Sequence, residues 1–345
     1  MKRLKVGLSG INNVDNPGPG VGIARSIRED KTLNAEIIGL AYDAMEPGIY
    51  MDWLIDKSFM MPYPSGDPES YLERLLHIKK SHGLDIVIPN LDAELPFYIK
   101  YQDRLRDLGI MTFLPDIKQF KLRGKDRLAD IAKTTGLTLP ETRLVNTVED
   151  LSDAAAELNF PLMVKGVFYK AKKATTLNEA ISHFHYIAAE WGYPVLLQEV
   201  VSGDELNVIA LGSGTGETMA MVGIKKLWIT ELGKIWTGVT VKNHRMLEAT
   251  ETFINTYQWK GPLELECMVD GDTIYLIEIN PRFPAWSYFA TGVGVNLPSI
   301  MIRKLLDKKI PAKADYEAGK LFIRYTYELI TEMDLFQNMV TQGET

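Results

Sequence analysis

Residues 261–282, GPLELECMVDGDTIYLIEINPR, decide the fold of this 345-residue chain. Apolar and polar residues alternate on both sides of an Asp-Gly-Asp sequence at 270–272. An Asp-Gly turn between two alternating runs is typical of a β-hairpin, so we expect two antiparallel strands here. The alternation places Glu264 and Glu266 on one face of the first strand, because successive side chains point to opposite faces.

The second strand of this hairpin adds further oxygen ligands. Glu278 and Asn280 share one face of that strand, and folding about the turn places Glu266 roughly opposite Glu278. Opposed carboxylates repel across a sheet, so this pair favours a cation between them. Mg²⁺ takes carboxylate and amide oxygens while it binds substrate phosphates, and Arg282 beside them suits a phosphate oxygen. The alternative is a solvated hairpin face, on which alternating polar residues are ordinary.

The composition, with 46% hydrophobic and 24% charged residues, is typical of a globular protein, and the length suggests two or three domains. A net charge of −7 does not suit a surface that coats nucleic acid. No apolar segment reaches membrane-spanning length, and the apolar run at the amino terminus is too short for a signal peptide. The single cysteine, Cys267, is expected in packing and fits a reducing compartment, so we expect a cytoplasmic protein.

Residues 1–114 alternate strand-like apolar runs with helical patterns. This alternation is typical of a parallel sheet covered by helices, and we expect a Rossmann-like domain. Gly83 and Gly109 are expected just past helix ends, where glycine adopts the left-handed conformation at little cost. The predicted strands are 5–9, 35–41, 84–89 and 110–114, and the predicted helices are one from about 23, one at 71–81 and one at 95–108.

Residues 115–193 mix helices with a short strand, and strands dominate thereafter. Thr147 followed by Asp150 is close to a capping box at the start of a helix. The later strands are expected to form an antiparallel sheet, and residues 333–345 are expected to pack loosely or to belong to an interface. The predicted elements are helices 148–159, 178–191 and 245–257, and strands 161–165, 195–201, 205–211, 218–225, 227–231 and 235–241.

The order of these pieces resembles the ATP-grasp superfamily. The closest pattern is its carbamoyl-phosphate-synthase-like branch, in which Gly-Pro-hydrophobic-x-hydrophobic-Gln/Glu precedes a Glu-hydrophobic-Asn-Pro-Arg ending. The resemblance covers about residues 80–306 and implies a fold of α/β and α+β type. It implies a Rossmann-like pre-ATP-grasp domain at 1–114, followed by a two-lobed ATP-grasp domain with antiparallel sheets. The small lobe would be 115–193 and the large carboxy-terminal lobe 194–345.

The resemblance also implies a site for ATP and Mg²⁺, with Mn²⁺ as an alternative metal. The implied metal ligands are Glu266, Glu278 and Asn280. Arg282 would hold the transferred phosphoryl group, and Lys165 would reach the nucleotide phosphates from a strand end as an extended point charge. Lys125 would contact phosphate as well. The alternatives are that Lys165 snorkels to solvent and that Lys125 is an exposed lysine at a helix start.

Residues 196–207 resemble the interlobe segment that holds adenine. A polar side chain there would contact the purine amino group, backbone groups would contact the ring edge, and a carboxylate would accept from both ribose hydroxyls. The candidates are Gln198 and Glu199 for the amino group, Val200 and Val201 for the ring edge, and Glu205 for the ribose. The alternative for Glu199 and Glu205 is a polar strand edge.

One departure concerns the glycine-rich loop that family members usually carry after the strand lysine. Here residues 165–174 are KGVFYKAKKA, with one glycine and four lysines. Either the loop is short and side-chain cations replace backbone donors, or phosphate binding is impaired. The glycines at 212–216 are expected to form a hairpin turn, because they lie between two strands and not before a helix.

Three further features are expected near a substrate cleft. Loop 16–22 has glycines misspaced for a dinucleotide fingerprint and is predicted to approach other backbone closely. Asp92 and Glu94 follow a strand end, where α/β sheets bind ligands, and would receive an amine. The alternative for these two is a helix N-cap with a favourable acid in the first turn. The aromatic residues within 283–289 predict either a pocket lining or ordinary packing.

The function that the resemblance implies is ATP-dependent ligation. MgATP would phosphorylate a small-molecule carboxylate, and an amine would capture the acyl phosphate to give an amide, ADP and phosphate. The alternatives are an enzyme that uses bicarbonate to form carboxy- or carbamoyl-phosphate, and a non-catalytic subunit that kept the fold. The resemblance also implies a possible homodimer. Neither nucleic acid nor a membrane is an expected partner.

Overall fold

The computed structural model forms two compact units. Unit 1 consists of Met1–Phe120, Asn207–Glu264 and Asn280–Thr345, and unit 2 of Lys121–Leu206 and Leu265–Ile279. The three-domain division of the sequence stays a prediction. The residues that the structure describes are 3–12, 17–125, 127–167, 170–230, 233–312, 314–326 and 328–345.

A parallel four-stranded sheet organises the first part of unit 1. Its strand order is β3-β2-β1-β4, and each neighbouring pair is parallel, as the alternation of strands and helices predicted. Gly83 and Gly109 follow helices with positive φ, also as predicted. The strands are β1 (Leu4–Leu8), β2 (Ala35–Ala41), β3 (Lys57–Met60) and β4 (Ile86–Ile88), and the helices are α1 (Gly20–Glu29), α2 (Pro68–Ser81), α3 (Leu95–Asp107) and the short α4 (Ile117–Lys121).

Two strand predictions in this part were wrong. The sequence did not predict β3, which has a single large buried side chain, Phe59, and no clear alternation. The strand predicted at 110–114 is only one bridge, between Met111 and Ile86. Phe113 and Leu114 are buried by packing and not by strand pairing. A short apolar run of this kind cannot be distinguished from a buried strand by its sequence pattern.

Unit 2 contains an antiparallel four-stranded sheet with the order β5-β8-β6-β7. Its strands are β5 (Thr142–Val145), β6 (Leu162–Gly166), β7 (Ala171–Ala174) and β8 (Val195–Glu199), and its helices are α5 (Leu128–Thr135), α6 (Val148–Leu158) and α7 (Leu177–Trp191). The capping box predicted at the start of α6 is confirmed: Thr147 and Asp150 bond each other's backbone N–H groups. Grouping the strand at 195–201 with the later strands was wrong, because β8 pairs with β5 and β6.

A six-stranded sheet with the order β13-β12-β9-β10-β11-β14 follows. Its strands are β9 (Asp204–Ser213), β10 (Thr218–Ile229), β11 (Ile235–Thr240), β12 (Lys260–Asp270), β13 (Thr273–Asn280) and β14 (Leu321–Ile323), and the helices are α8 (His244–Tyr257), α9 (Ser287–Gly292), α10 (Leu297–Leu305) and α11 (Met333–Thr341). The hairpin predicted at 261–282 is present as β12 and β13, with φ of +55° at Gly271. The strands predicted at 218–225 and 227–231 are one strand, since a register shift between Lys226 and Trp228 interrupts the alternation.

The carboxy-terminal residues pack against the parallel sheet, although their pattern is weak. Met339 of α11 is buried, Glu344 bridges to Phe59, and the amide of Met60 donates to the carbonyl of Gly343. In the described part of the chain, no helix is both long enough and apolar enough to cross a membrane.

Candidate active site

Lys165 and Gln198 form a hydrogen-bonded pair on the sheet of unit 2. Leu162 and Val164 of β6 are fully buried in the core of this unit, so the alternation along the strand turns Lys165 toward the opposite face. The Lys165 ammonium donates to Gln198 Oε1 at 2.6 Å, and Gln198 Nε2 donates to Thr142 Oγ1 at 2.8 Å. The Gln198 amide therefore holds the lysine that is predicted to contact phosphate.

A second lysine, Lys125, lies close to this pair. Its ammonium donates to the carbonyl of Gly166, the last residue of β6, at 2.7 Å. Burial and the charge of Lys125 lower the pKa of Lys165 to about 8, although the charges of Glu278 and Glu266 act to raise it. Burial also lowers the pKa of Lys125, and Glu278 opposes that shift. These four side chains thus form one electrostatic cluster, which we call the lysine–glutamate cluster.

The lysine–glutamate cluster has the chemistry of a site for phosphates and a divalent cation. Two buried cations favour an anion such as phosphate. Glu266 and Glu278 are half-buried on the neighbouring strands β12 and β13, and their oxygens are the hard ligands that Mg²⁺ prefers. Within the described ranges, no three His, Cys, Asp or Glu side chains form a metal-binding group. The predicted ligand set has two carboxylates and takes its third oxygen from an amide.

The predicted nucleoside contacts lie at and after the end of β8. The amide of Glu199 donates to the carbonyl of Glu141, and the amide of Glu141 donates to Glu199 Oε1, both at 2.9 Å. Val200 and Val201 lie between β8 and β9, so their backbone groups are outside the strand ladders. Glu205 is half-buried near the start of β9.

Strands β6 and β7 pair directly on either side of the segment that follows Lys165. Phe168 and Tyr169 lie outside the described residues, but the amide of Gly166 donates to the carbonyl of Lys170 at 3.1 Å and β7 begins at the next residue. The Lys170 ammonium lies 3.1 Å from Glu190 Oε2 and donates to the Tyr186 hydroxyl at 3.0 Å. Both alternatives for this loop, side-chain cations in place of backbone donors or impaired phosphate binding, stay predictions.

Arg282 and Asn280 belong to unit 1, where they are part of a chain of polar contacts. Arg282 Nε donates to Asp92 Oδ2 at 3.0 Å, and both side chains are largely buried. Arg282 Nη2 donates to Asn280 Oδ1 at 3.3 Å, and Asn280 Nδ2 donates to Glu264 Oε2 at 3.2 Å. Asp92, which was expected to receive an amine or to cap a helix, instead pairs with the predicted phosphoryl-binding arginine.

Glu264 is a functional candidate that the sequence analysis placed on the right face but did not assign. Its side chain is buried and accepts from Trp286 Nε1 at 2.6 Å and from Asn207 Nδ2 at 2.8 Å, in addition to Asn280. Because a carboxylate only accepts, Glu264 turns the amide nitrogen of Asn280 toward itself and leaves Asn280 Oδ1 for Arg282. Its position on the same face of β12 as Glu266 could have identified it from the sequence.

Glu94 supports the loop that carries Asp92. Its carboxylate is fully buried and accepts from the Ser9 hydroxyl, from the Tyr42 hydroxyl at 2.6 Å and from the amide of Asn90 at 2.7 Å. Burial raises the pKa of this carboxyl. The expectation that Glu94 receives an amine is wrong, since the group is enclosed; it stands at the N-cap position of α3 without a side-chain cap bond.

The remaining sequence predictions concern packing. A Cβ on Gly18 would lie 2.2 Å from the carbonyl oxygen of Gly10. The prediction that loop 16–22 approaches other backbone closely is therefore confirmed for residues 17–22. Asn16 lies outside the described residues. Trp286 is buried and bonded to Glu264, which favours packing over a pocket lining at that residue. The thiol of Cys267 is buried, and burial raises its pKa well above the ordinary value.

Two comparisons of sequence identify similar proteins. Residues 193–327 match the family described as ATP-grasp in the biosynthetic pathway with Ter operon. The carbamoyl phosphate synthase large chain of Caldanaerobacter subterraneus subsp. tengcongensis is 26% identical over 212 residues, which cover 56% of this chain and 19% of that protein. The chain thus spans about a fifth of the length of this curated relative.

Solved structures share the fold. The β-γ-ATP complex of biotin carboxylase from Campylobacter jejuni superposes with a TM-score of 0.70 at 14% identity, covering 93% of this chain and 75% of that one. An L-amino acid ligase from Bacillus licheniformis superposes with a TM-score of 0.66 at 16% identity, covering 90% of this chain and 76% of that one.

Proposed function

Since the chain belongs to the ATP-grasp superfamily, we propose that it is an ATP-dependent ligase that joins a carboxylate to an amine. The observation that carries this proposal is the lysine–glutamate cluster: two buried lysines coupled to two carboxylates on the neighbouring strands β12 and β13. The likeness to an L-amino acid ligase supports the choice of a carboxylate and an amine as substrates.

The proposed reaction has two steps. A carboxylate oxygen of the substrate attacks the γ-phosphorus of ATP, and the bond to the β,γ-bridging oxygen breaks, which gives an acyl phosphate and ADP. The amine nitrogen then attacks the acyl carbon, loses a proton, and displaces inorganic phosphate to leave an amide. This chemistry depends on positioning and on cations that neutralise the transferring phosphoryl group, so no protein nucleophile is required.

The residues of unit 2 supply the nucleotide contacts in this proposal. Lys125 and Lys165 bind the ATP phosphates, and Gln198 orients Lys165 through their hydrogen bond. Glu266 and Glu278 bind Mg²⁺, which would neutralise phosphate charge when bound. The proposed nucleoside contacts are Glu199, Val200, Val201 and Glu205.

The residues of unit 1 contribute through the Asn-Pro-Arg motif. We propose Asn280 as a further metal ligand and Arg282 as the group that holds the transferred phosphoryl, on the basis of the motif and of their mutual hydrogen bond. Asp92 and Glu264 position these two side chains, because each is hydrogen-bonded to one of them.

Thermal unfolding with and without MgATP tests the nucleotide site. Ligand at about a hundred times its dissociation constant adds about 2.7 kcal/mol to the stability, which raises the melting temperature by about 4 °C for a protein of this size. We expect Glu278→Ala to lose the Mg²⁺-dependent part of this rise while its melting temperature without ligand stays close to that of the wild type.

Glu248→Ala is the matched control, because Glu248 is exposed on α8 and should leave the MgATP shift intact. An unchanged shift in Glu278→Ala would remove Glu278 from the metal site. The absence of any shift in the wild type would contradict the proposed function. A positive result is followed by measurement of ADP release with panels of carboxylates and amines.

The match to a carbamoyl phosphate synthase large chain favours a second candidate function, in which bicarbonate is the carboxylate that ATP phosphorylates. ADP release that depends on added bicarbonate in degassed buffer, and that no other carboxylate supports, would select this function. ADP release that needs an organic carboxylate and persists without bicarbonate would select the ligase.

A further inference from the structure

A cavity of about 120 Å³ lies in unit 1 beside the glycine loop. Its walls come from the start of α1, from the segment that follows Arg282, and from the chain around β14. A cavity of this volume can hold a small chemical group. The lining residues that matter below are Gly18, Gly22, Arg25, Tyr288 and Arg324.

Arg324 brings a guanidinium group to this cavity, where backbone carbonyls hold it. Its Nε donates to the carbonyl of Ile235 at 3.1 Å and its Nη2 donates to the carbonyl of Ala285. These two bonds use two of the five N–H donors of the group. Among the described residues, no carboxylate lies within ion-pair distance of it, and burial lowers its pKa to about 10.

Arg25 supplies a second cation at the same cavity. Its guanidinium lies over the ring of Tyr288, 3.7 Å from the ring centroid. Glu29, one turn further along α1, accepts a hydrogen bond from the Tyr288 hydroxyl at 2.5 Å. Within the described ranges, neither arginine has a carboxylate within ion-pair distance, so both bring positive charge to the cavity.

The start of α1 adds to this positive potential. Val21 and Gly22, in the first turn, line the cavity, and Pro19 at the N-cap position forms no side-chain hydrogen bond with that turn. Helix N-terminal amides favour anions. The loop can bring them there because Gly18 and Gly20 have no Cβ: one on Gly20 would lie 2.4 Å from the carbonyl oxygen of Ser9.

Arg74 shows what a purely structural arginine of this kind is like. It also donates to two backbone carbonyls, those of Met60 and Gly343, and burial also lowers its pKa. The charge of Glu344 opposes that shift. No acid in the described part of the chain opposes the shift in the pKa of Arg324, so its charge is available to a bound anion.

We propose that this cavity binds an oxyanion, a carboxylate or a phosphate, that is carried by one of the two substrates of the ligase. The link to the ligase rests on the proposed function, and the anion site rests on the two arginines and the helix start. Ala285, whose carbonyl holds Arg324, lies only three residues after Arg282, so the same segment joins the cavity to the Asn-Pro-Arg motif. The proposed substrate thus bears a second acidic group besides any that reacts.

The test uses inorganic phosphate and succinate as probes of the full-length protein. Titration calorimetry gives the affinity of each probe for the wild type, Arg324→Met, Arg324→Lys, Arg25→Met and the control Arg74→Met. Loss of a hydrogen bond to a charged group weakens binding by about tenfold to a hundredfold. We expect that loss in Arg324→Met, a smaller one in Arg25→Met, partial recovery in Arg324→Lys, and wild-type affinity in Arg74→Met.

The probe that loses more affinity in Arg324→Met identifies the substrate anion as a phosphate or a carboxylate. Equal affinities in all five proteins, or no binding of either probe to the wild type, would overturn the proposal. Arg25→Met keeps the test valid if Arg324→Met fails to fold, since Arg25 is exposed. The MgATP shift of Arg324→Met is measured in parallel: its survival while anion binding is lost separates the anion site from the nucleotide site.

Discussion

Lys165 is unusual among lysines because it is buried beside another cation. Its pKa of about 8 means that the free protein loses this positive charge as the pH rises from 7 to 9. In the proposed site the charged form binds phosphate, so proton loss opposes nucleotide binding. We expect the MgATP affinity to be nearly constant below pH 8 and to fall by about tenfold per pH unit well above it. Calorimetric titrations at pH 7, 8 and 9 measure this dependence.

Lys165→Arg is the matched variant, because a guanidinium keeps its charge throughout this range. Its MgATP affinity should be weaker than that of the wild type at pH 7, since the hydrogen bond to Gln198 changes geometry, but independent of pH up to 9. A wild type and a variant with the same pH dependence would show that another group titrates.

Glu264 gives a second prediction for a single residue. Three donors converge on its buried carboxylate, from Asn207, Asn280 and Trp286. Glu264→Gln replaces one acceptor oxygen by a donor and leaves at least one buried group unsatisfied, which costs about 1–3 kcal/mol. Urea unfolding should show this loss of free energy of unfolding, and the exposed Glu248→Gln should show none. A fully stable Glu264→Gln would mean that water satisfies these donors.

At the scale of elements, the glycine loop before α1 depends on the absence of side chains. A Cβ at Gly18 would lie 2.2 Å from the carbonyl oxygen of Gly10, so Gly18→Ala must displace backbone. We expect a loss of stability of about 1–3 kcal/mol, together with weaker binding of the anion probes. Gly292→Ala is the control, because no atom lies within 4 Å of the position of its Cβ. Equal stability of the two variants would contradict the close approach.

The elements also show what local sequence can and cannot predict. The β12–β13 hairpin and the capping box of α6 were predictable, because each depends on residues close together in sequence. The sheet to which β8 belongs was not, because its partners β5 and β6 are chosen by tertiary packing. The role of Glu264 was missed for the same reason: its partners Asn207 and Trp286 are distant in sequence.

At the scale of the whole molecule, the proposed anion site lies within unit 1, whereas most of the proposed nucleotide contacts lie in unit 2. The nucleotide contacts of β6 and β8 belong to unit 2, and the anion cavity belongs to unit 1. Hydrogen exchange followed by mass spectrometry should therefore show MgATP protecting the amides of residues 162–166 and 195–201. Inorganic phosphate should protect the first turn of α1. Protection of the same peptides by both ligands would mean that phosphate only occupies the nucleotide site.

Chemical labelling of the single cysteine, Cys267, can report the local opening of the β12–β13 hairpin. The Cys267 thiol is fully buried on β12 directly after Glu266, and its raised pKa leaves almost no reactive thiolate in the folded protein. An alkylating reagent can reach the thiol only when β12 separates from its neighbours. The labelling rate therefore measures how often this opening occurs. The sequence contains one cysteine, so all of the labelling is labelling of Cys267. Cys267 is adjacent to Glu266, a proposed metal ligand, so saturation with MgATP should lower the rate at which the thiol is alkylated.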